Sequence, residues 1–198
     1  MAWLTEKQLQ SFKSVGRNVK ISDQALVYGA QNVEFGDNVR IDAQTIILAT
    51  HGSLKIGSHV HVAVQCLFSC GGGISLGDFT SISMGTKIIS ASDSSNGDWL
   101  VGPNHPPHLI RVRREPIVID HYAWLGTNSV MLPGSKASQG SMLGVNGIAT
   151  AGQILMPWSI SVGNPAKFFK SRSQEMIIKS QEALQIFEQD WLDGNYGP

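Results

Sequence analysis

Bulky aliphatic residues recur every six positions along most of this chain, a spacing that suits neither an α-helix nor a lone flat strand. The series runs Val15, Ile21, Val27 and Val33, then Phe35, Ile41 and Ile47, then Ile56, Val62 and Phe68, then Leu76, Ile82 and Ile88. After a long interruption it resumes at Ile119 and passes through Leu125, Met131, Ala137, Leu143 and Ala149 to Leu155. A smaller residue follows many of these four places on, as at Val39, Thr45, Cys66, Thr80, Thr86, Ser92, Ala123 and Ser129. Glycine often follows directly, as at Gly16, Gly36, Gly57, Gly77, Gly126 and Gly144. A short strand and a tight corner, repeated, satisfies this pattern. Three such units close one triangular coil, with the bulky side chain inside and the small one near the corner. Sequences such as Gly36-Asp37-Asn38 supply corner conformations that β-branched residues resist. Successive coils pair as parallel strands about 4.8 Å apart, and the repeats suffice for about six to seven of them. The expected fold is therefore all-β, a parallel β-helix of hexapeptide repeats.

Composition agrees with such a fold. Glycine supplies 21 of 198 residues, and only 15% are charged, against about 25% in an ordinary soluble domain. Strands and corners leave little helix surface on which charges would sit. Fifteen basic residues balance fifteen acidic ones. A neutral chain lacks the excess cation that binding to nucleic-acid phosphates or an anionic membrane surface requires. No stretch approaches the 18 or so apolar residues of a membrane span, and Met1 to Lys13 lacks the apolar core of a signal peptide. Cys66 and Cys70 sit in apolar stretches and read as two buried thiols of a reducing compartment rather than a disulfide or a metal site. The expected location is cytoplasmic.

Both ends and one interior segment depart from the repeat. Thr5-Glu6-Lys7-Gln8 reads as a capping box before a short helix carrying Leu9 and Phe12, so residues 1–14 are expected to cap the prism. Residues 15–167 form the repeat domain. Residues 168–198 form a carboxyl-terminal helix, with helical spacing from Ser173 to Trp191 through Ala183 and Phe187. The interruption from Asp93 to Pro116 lies between two in-phase blocks and is expected to protrude as one loop, and structureless loops of such length are usually functional. Gly71-Gly72-Gly73 is a widened corner, or a place where a substrate approaches the backbone closely.

Three local motifs carry a family resemblance. Ile119-Asp120-His121-Tyr122-Ala123-Trp124-Leu125-Gly126 resembles the IGxxxWIG run of sugar acetyltransferases. Met131-Leu132-Pro133-Gly134 resembles their ILPG, and Val162-Gly163-Asn164-Pro165-Ala166-Lys167 their terminal GNPAK. With the repeats, the resemblance spans about residues 15 to 172 and points to the hexapeptide-repeat acyltransferases, in a polysaccharide-biosynthesis branch similar to galactoside and maltose acetyltransferases. It implies left-handed coils, acetyl-CoA as donor, no metal, and a homotrimer with active sites between subunits. It also implies an acceptor hydroxyl or amine on a sugar, nucleotide-sugar or glycan, as in bacterial surface-polysaccharide (lipopolysaccharide O-antigen or capsule) biosynthesis.

By that resemblance CoA lies beside the late coils, where strand edges at Gly126 and Gly144 face pantetheine and Lys167 faces the nucleotide phosphates as a point charge. Trp158 either covers the adenine or packs the prism end, with packing favoured. The chain departs from the family at Ser135 and Ala137, where relatives carry larger core residues, so looser packing is expected there.

Acyl transfer to a hydroxyl needs a base, for which histidine is suited. In maltose-type relatives a histidine ends the segment that reads Ile88 to Ser92 here, but this chain has Asp93 instead. His61, in a Val-His-Val setting that resembles the polysaccharide branch, is the first candidate base, with Asp93 orienting a histidine or binding the sugar. His51, His59, His105, His108 and His121 are the other histidines. His121 and Trp124 near the IGxxxWIG run, and Arg113 in the basic cluster Arg111, Arg113 and Arg114, are candidate substrate contacts. An amine acceptor would lessen the need for a strong base, so N-acylation stays open. Two rival functions remain beside this one. The first is a non-catalytic assembly scaffold. The second is a γ-carbonic-anhydrase-like zinc enzyme, disfavoured because the histidine spacings of two (His59, His61) and three (His105, His108) do not suit its ligand set.

Overall fold

The structure, a computed structural model, describes residues 2–180 and 183–184. Among them, three parallel sheets form the faces of a prism. The first face runs from Ser14–Val15 through Val33–Phe35, Leu54–Ile56, Ile74–Leu76, Ile117–Ile119 and Lys136–Ala137 to Ile154–Leu155. The second runs from Lys20–Ile21 through Arg40–Ile41, His61–Val62, Ser81–Ile82, Trp124–Leu125 and Met142–Leu143 to Ser159–Val162. The third runs from Leu26–Tyr28 through Ile46–Leu48, Leu67–Ser69, Lys87–Ile89 and Val130–Met131 to Ile148–Ala149. The first face has seven strands, so the chain winds through seven coils. The six-residue series points inward as its spacing requires: Ile41, Ile47, Val62, Phe68, Ile82, Ile88, Ile119, Leu125 and Met131 are all fully buried. Each such side chain contributes about 1.5–3 kcal/mol relative to exposure.

The coils are not all of one length, and the difference falls at one corner. Pairing of Ile119 with Ala137 and of Ala137 with Leu155 steps by 18 residues. Pairing of Val15 with Phe35, Phe35 with Ile56 and Ile56 with Leu76 steps by 20, 21 and 20. The spacing from first to second and from second to third face stays at six throughout, so every added residue lies where the third face turns into the first. These additions comprise the 3₁₀ turn Ala30–Asn32, the turns near His51 and Gly71, and the long insertion after Ser90. The widening places a second residue inside the prism on the first face, as Val33 beside Phe35 and Leu54 beside Ile56.

The long insertion differs from the expected loop. Ala91–Asp93 pairs antiparallel with Val112–Arg114, and Pro107–Leu109 forms a 3₁₀ turn, so the segment is a β-hairpin with an extended tip. Ser92, expected as a small inward residue, is exposed on this hairpin; Ser90 fills that place. The Ser90 hydroxyl donates to Ser69 O at 2.8 Å and accepts the Gly72 N–H at 2.9 Å. The glycine run is packed by the hairpin itself: a Cβ on Gly71 would lie 2.6 Å from Ala91 Cβ, and one on Gly72 2.6 Å from Glu115 N. The close approach the glycines permit is thus made by this chain's own backbone.

A column of residues with left-handed backbone marks the corner between first and second faces, comprising Asn18, Asn38, His59, Phe79, Tyr122, Gly140 and Trp158. The rings of His59 and Phe79 stack at 4.7 Å, Phe79 and Tyr122 at 5.1 Å, and Tyr122 and Trp158 at 6.1 Å. Ring-on-ring packing offsets the unfavourable backbone of these non-glycine residues. Trp158 lies over Gly140, where a Cβ would strike its indole ring, so its role is packing along this column.

At the amino end the Thr5 N–H donates to Gln8 Oε1 at 2.9 Å, opening the short helix Glu6–Leu9. Phe12 then closes the prism edge-on to Phe35 at 5.2 Å. At the carboxyl end the GNPAK segment reverses the chain, and Lys167–Ser171 returns antiparallel to Ser159–Val162, where a helix had been expected from residue 168. The exposed edge of the last coil is thereby paired. Arg172 Nη1 donates to Tyr122 O at 2.8 Å and Gly140 O at 3.0 Å, and residues 175–180 are helical. Phe187 and Trp191, expected on this helix, lie outside the described residues.

Ser135 and Ala137, where looser packing is expected, are both buried in the late coils. Ser129, Ser135 and Ser141 bury hydroxyls that have no hydrogen-bond partner among the described residues. A buried unpaired hydroxyl costs about 1–3 kcal/mol. Ser129→Ala is therefore expected to raise the melting temperature by about 2–4 °C per kcal/mol recovered; an unchanged or lower value in a thermal melt would show that the hydroxyl is satisfied.

Candidate active site

The second face gathers five of the eight residues singled out from the sequence. Strand register places Arg40, His61, Ser81, Trp124 and Met142 in one outward row. The positions that follow the inward residues form a second row, Asp42, Ala63, Ser83, Gly126, Gly144 and Val162, linked by backbone hydrogen bonds from coil to coil. Lys167 joins its end by pairing with Val162. His61, Trp124, Gly126, Gly144 and Lys167 thus share one surface.

His61 is held by a carboxylate that the sequence did not single out. Its Nε2 lies 2.8 Å from Asp42 Oδ2, and Arg40 Nε donates to Asp42 Oδ1 at 2.7 Å. The Asp42 side chain is only 8% exposed. Burial pushes its carboxyl upward, but the hydrogen bonds from His61 and Arg40 outweigh this and hold it below the usual range. A buried anion that engages one imidazole nitrogen fixes the ring and leaves Nδ1 to face solvent or substrate.

Ser83, one coil beyond Ala63, is a second residue missed from the sequence. Its hydroxyl accepts the Trp124 Nε1–H at 2.9 Å, so its own proton is available to another acceptor. Nothing local marks Asp42 or Ser83 as special. Their alignment with Gly126 emerges only from the register, which the unequal early coils conceal.

Gly126 and Gly144 do not present unpaired amides. Their N–H groups donate to Leu143 O and Ser161 O, and a Cβ on Gly126 would lie 2.8 Å from Leu143 O. Both glycines are buried between Trp124 and the Lys167 end, and a Cβ on Gly144 would lie 2.8 Å from Val162 Cγ1. Lys167 is exposed and has no ion pair among the described residues.

His121 belongs to the neighbouring corner. Its Nδ1 accepts the Asp78 N–H at 3.0 Å, continuing a series in which Asp78 Oδ1 accepts the Ser58 N–H and Ser58 Oγ the Asp37 N–H. That hydrogen bond places the proton of a neutral ring on Nε2. His59 stacks in the aromatic column, and His51, His105 and His108 are exposed on turns and the hairpin tip.

Asp93 and Arg113 stand apart, on the hairpin beyond the third face. Asp93 Oδ2 accepts the Gly102 N–H at 3.0 Å, tying the tip to the hairpin base. Arg113 donates twice to Glu115, each at 2.8 Å. Hydrogen bonding to that guanidinium keeps the Glu115 carboxyl low. Within one prism Asp93 and His61 lie on different faces and do not form a pair. Among the described residues no three histidine, cysteine or carboxylate groups converge as a metal site would require. Cys66 and Cys70 are buried free thiols, pushed up by burial to about 11 and about 12. No described helix is long and apolar enough to cross a membrane.

Coiled strands, the GNPAK return and a histidine–carboxylate pair beside a glycine track describe an acyltransferase of the hexapeptide-repeat class, and comparison with known proteins agrees. No family model matches the chain. It is 31% identical over 179 residues to the dTDP-4-amino-4,6-dideoxy-D-glucose acyltransferase of Escherichia coli, covering 89% of this chain and 92% of that one. It is 24% identical over 158 residues to the putative lipopolysaccharide biosynthesis O-acetyl transferase WbbJ of Escherichia coli K12, covering 78% and 76%. Among solved structures it superposes with a TM-score of 0.85 on AntD, an N-acyltransferase of Bacillus cereus in complex with dTDP and 3-hydroxybutyryl-CoA. That match is 28% identical and covers 94% and 98% of the two chains. The solved forms of AntD include variants at one serine and at one aspartate. The chain belongs to the hexapeptide-repeat sugar acyltransferases.

Proposed function

We propose that this acyltransferase moves an acyl group from a CoA thioester to the amino group of a nucleotide-linked amino sugar. The observation that carries the choice of an amine is Asp93, a carboxylate at the place where the resemblance to maltose-type enzymes implies a histidine. A hydroxyl must lose its proton as it attacks, which calls for a base near neutral pKa. A neutral amine attacks with its lone pair and sheds its proton afterwards. A carboxylate suits that acceptor, since it attracts the ammonium form and then accepts a hydrogen bond from the neutral amine. The amine nitrogen bonds to the thioester carbonyl carbon, the carbon–sulfur bond breaks, and the proton lost by nitrogen ends on the CoA thiol. An amide and free CoA result. The AntD and Escherichia coli relatives, by their names an N-acyltransferase and a dTDP-amino-sugar acyltransferase, support the same acceptor class.

On the second face the pantetheine arm runs past Gly126 and Gly144, Lys167 meets the CoA phosphates, and Trp124 with Ser83 borders the reacting carbonyl. His121 and Arg113 flank the acceptor. The Ser83 hydroxyl has a proton to offer the developing oxyanion. Asp93 and His61 lie on different faces of one chain, so a site that uses both requires a neighbouring copy. The family resemblance supplies the rest of this reading, a homotrimer in the cytoplasm, and light scattering should return three times the 21.4 kDa chain mass.

One observation favours a second reading, O-acylation. The His61–Asp42 pair is a ready general base, with its buried carboxylate in the orienting role. Product analysis decides between the two. The amine reading expects an amide that survives mild alkali when the acceptor carries both groups; an alkali-labile ester would favour the histidine.

A further inference from the structure

Asparagine stands directly before glycine at two places, Asn96-Gly97 and Asn146-Gly147. Such a pair reacts with itself in water when its geometry allows. The glycine nitrogen attacks the asparagine side-chain carbon Cγ, and Nδ2 leaves as ammonia with the proton that the nitrogen gave up. The cyclic imide then takes up water at one of its two carbonyls. Opening beside Cγ gives aspartate; opening at the main-chain carbonyl gives isoaspartate, with the chain rerouted through the side chain. Glycine suits the second position because no Cβ obstructs ring closure.

The fold treats the two pairs differently. Both asparagines are exposed, but Gly147 is buried and Gly97 is exposed. The Gly147 N–H donates to Gly144 O at 3.0 Å, and its carbonyl accepts the Val130 N–H at 2.9 Å. The Asn146 N–H donates to Thr127 O at 2.9 Å, so both residues are fixed within a late coil. Ring closure there requires the coil to open first, a rare event in packed structure. Neither Asn96 nor Gly97 makes a hydrogen bond among the described residues. Nothing lies within 4 Å of a Cβ added to Gly97, so the backbone has space to turn. The charged groups that share a wall with Asn96 are Asp98, Arg111, Arg113, Arg114 and Glu115. Arg113 and Glu115 pair with each other, which leaves two guanidinium groups against one carboxylate. A positive surround favours both the deprotonated amide and the oxyanion that forms at Cγ.

We propose that Asn96 is a self-modification site, converting through a cyclic imide to aspartate and isoaspartate in the folded protein while Asn146 is spared. Each conversion sets a carboxylate where a neutral amide stood, so a chain of balanced charge yields an acidic form. Isoaspartate also adds a backbone atom to the segment that the Asp93–Gly102 hydrogen bond closes. Water is the only co-reactant, and the acyl acceptor has no part in the reaction.

Freshly purified protein is incubated in neutral buffer, both folded and in denaturant, and sampled over time. Peptides holding Asn96 and Asn146 are followed by mass spectrometry, with isoaspartate located by fragmentation. In the folded protein Asn96 is expected to convert at least tenfold faster than Asn146, with ammonia released in step. In denaturant, where the hydrogen bonds of Gly147 are gone, the two rates should converge to within threefold. Gly97→Ala, checked as folded by its melting curve, should slow conversion at Asn96 at least tenfold. Equal rates at the two sites in the folded protein, or an Asn96 that stays intact there while it reacts in denaturant, would overturn the proposal. So would a Gly97→Ala protein that converts as fast as the parent. A difference between the sites that persists undiminished in denaturant would trace it to sequence alone and overturn the proposal as well.

Discussion

Asp93→Ala is expected to lower kcat for acyl transfer to an amino sugar by about two orders of magnitude, the lower end of what a positioned acid–base group supplies. Two effects would contribute. Alanine removes the charge that receives the acceptor's ammonium, and it removes the oxygen that takes the Gly102 N–H and draws the hairpin tip to its base. Asp93→Asn separates them, because its side-chain carbonyl can still accept from Gly102 while the charge is gone. If charge is the catalytic contribution, asparagine loses nearly as much rate as alanine. If anchoring alone matters, asparagine keeps most of the activity. Steady-state rates with acetyl-CoA and an amino sugar decide this. His61→Gln is the companion measurement: on the amine reading it costs much less than Asp93→Asn, and the reverse order would move the base to the His61–Asp42 pair.

Gly72→Ala should cause a large loss of stability for a single methyl group. A Cβ at this position overlaps Ser90 O and lies 2.6 Å from Glu115 N, with backbone atoms as the obstacle in both cases. A flexible side chain could swing aside; two strand ends fixed by the hydrogen bond from Glu115 N–H to Ser90 O at 3.0 Å cannot. Overpacking of this kind costs about 1–3 kcal/mol and occasionally more. The strain falls where the hairpin leaves and re-enters the prism. Activity should therefore fall together with the melting temperature, and CoA affinity should fall less than either. Gly97→Ala is a fitting control, since nothing lies within 4 Å of its added Cβ, although its φ of 82° still costs some backbone energy. A Gly72→Ala protein as stable as the parent would mean that the hairpin base is not packed as described.

The prism was legible because one physical constraint, a bulky side chain turned inward at every face, repeats in the sequence at constant spacing. Ile119 to Leu155 shows it unbroken, and the buried series follows it. The widened corners were harder to read. The extra residues at Ala30–Asn32 and Gly71 to Gly73 alter coil length without disturbing the spacing of six on the other two faces. Site residues that depend on alignment across coils were hidden for the same reason. Asp42 and His61 are neighbours only because the third corner adds residues between their coils, and Ser83 reaches Trp124 across the whole hairpin insertion. The hairpin was expected as a loop because Asn96-Gly97, Gly102-Pro103 and His105-Pro106-Pro107 read as turns. The two short strands beside them, Ala91–Asp93 and Val112–Arg114, are too brief for alternation to declare them. The return strand at Lys167–Ser171 carries Phe168 and Phe169 among lysines, a pattern with no inward period because all five of its residues are exposed.

The central claim is that an amine is the acceptor and a CoA thioester the donor. It is tested most directly by following free thiol release from acetyl-CoA with dTDP-4-amino-4,6-dideoxyglucose and with the same nucleotide sugar bearing a hydroxyl at that carbon. The account predicts stoichiometric thiol release and amide formation with the amino sugar, and no release above background with the hydroxyl analogue. Equal or faster release with the hydroxyl sugar, or none with either while the protein is folded and binds CoA, would contradict it.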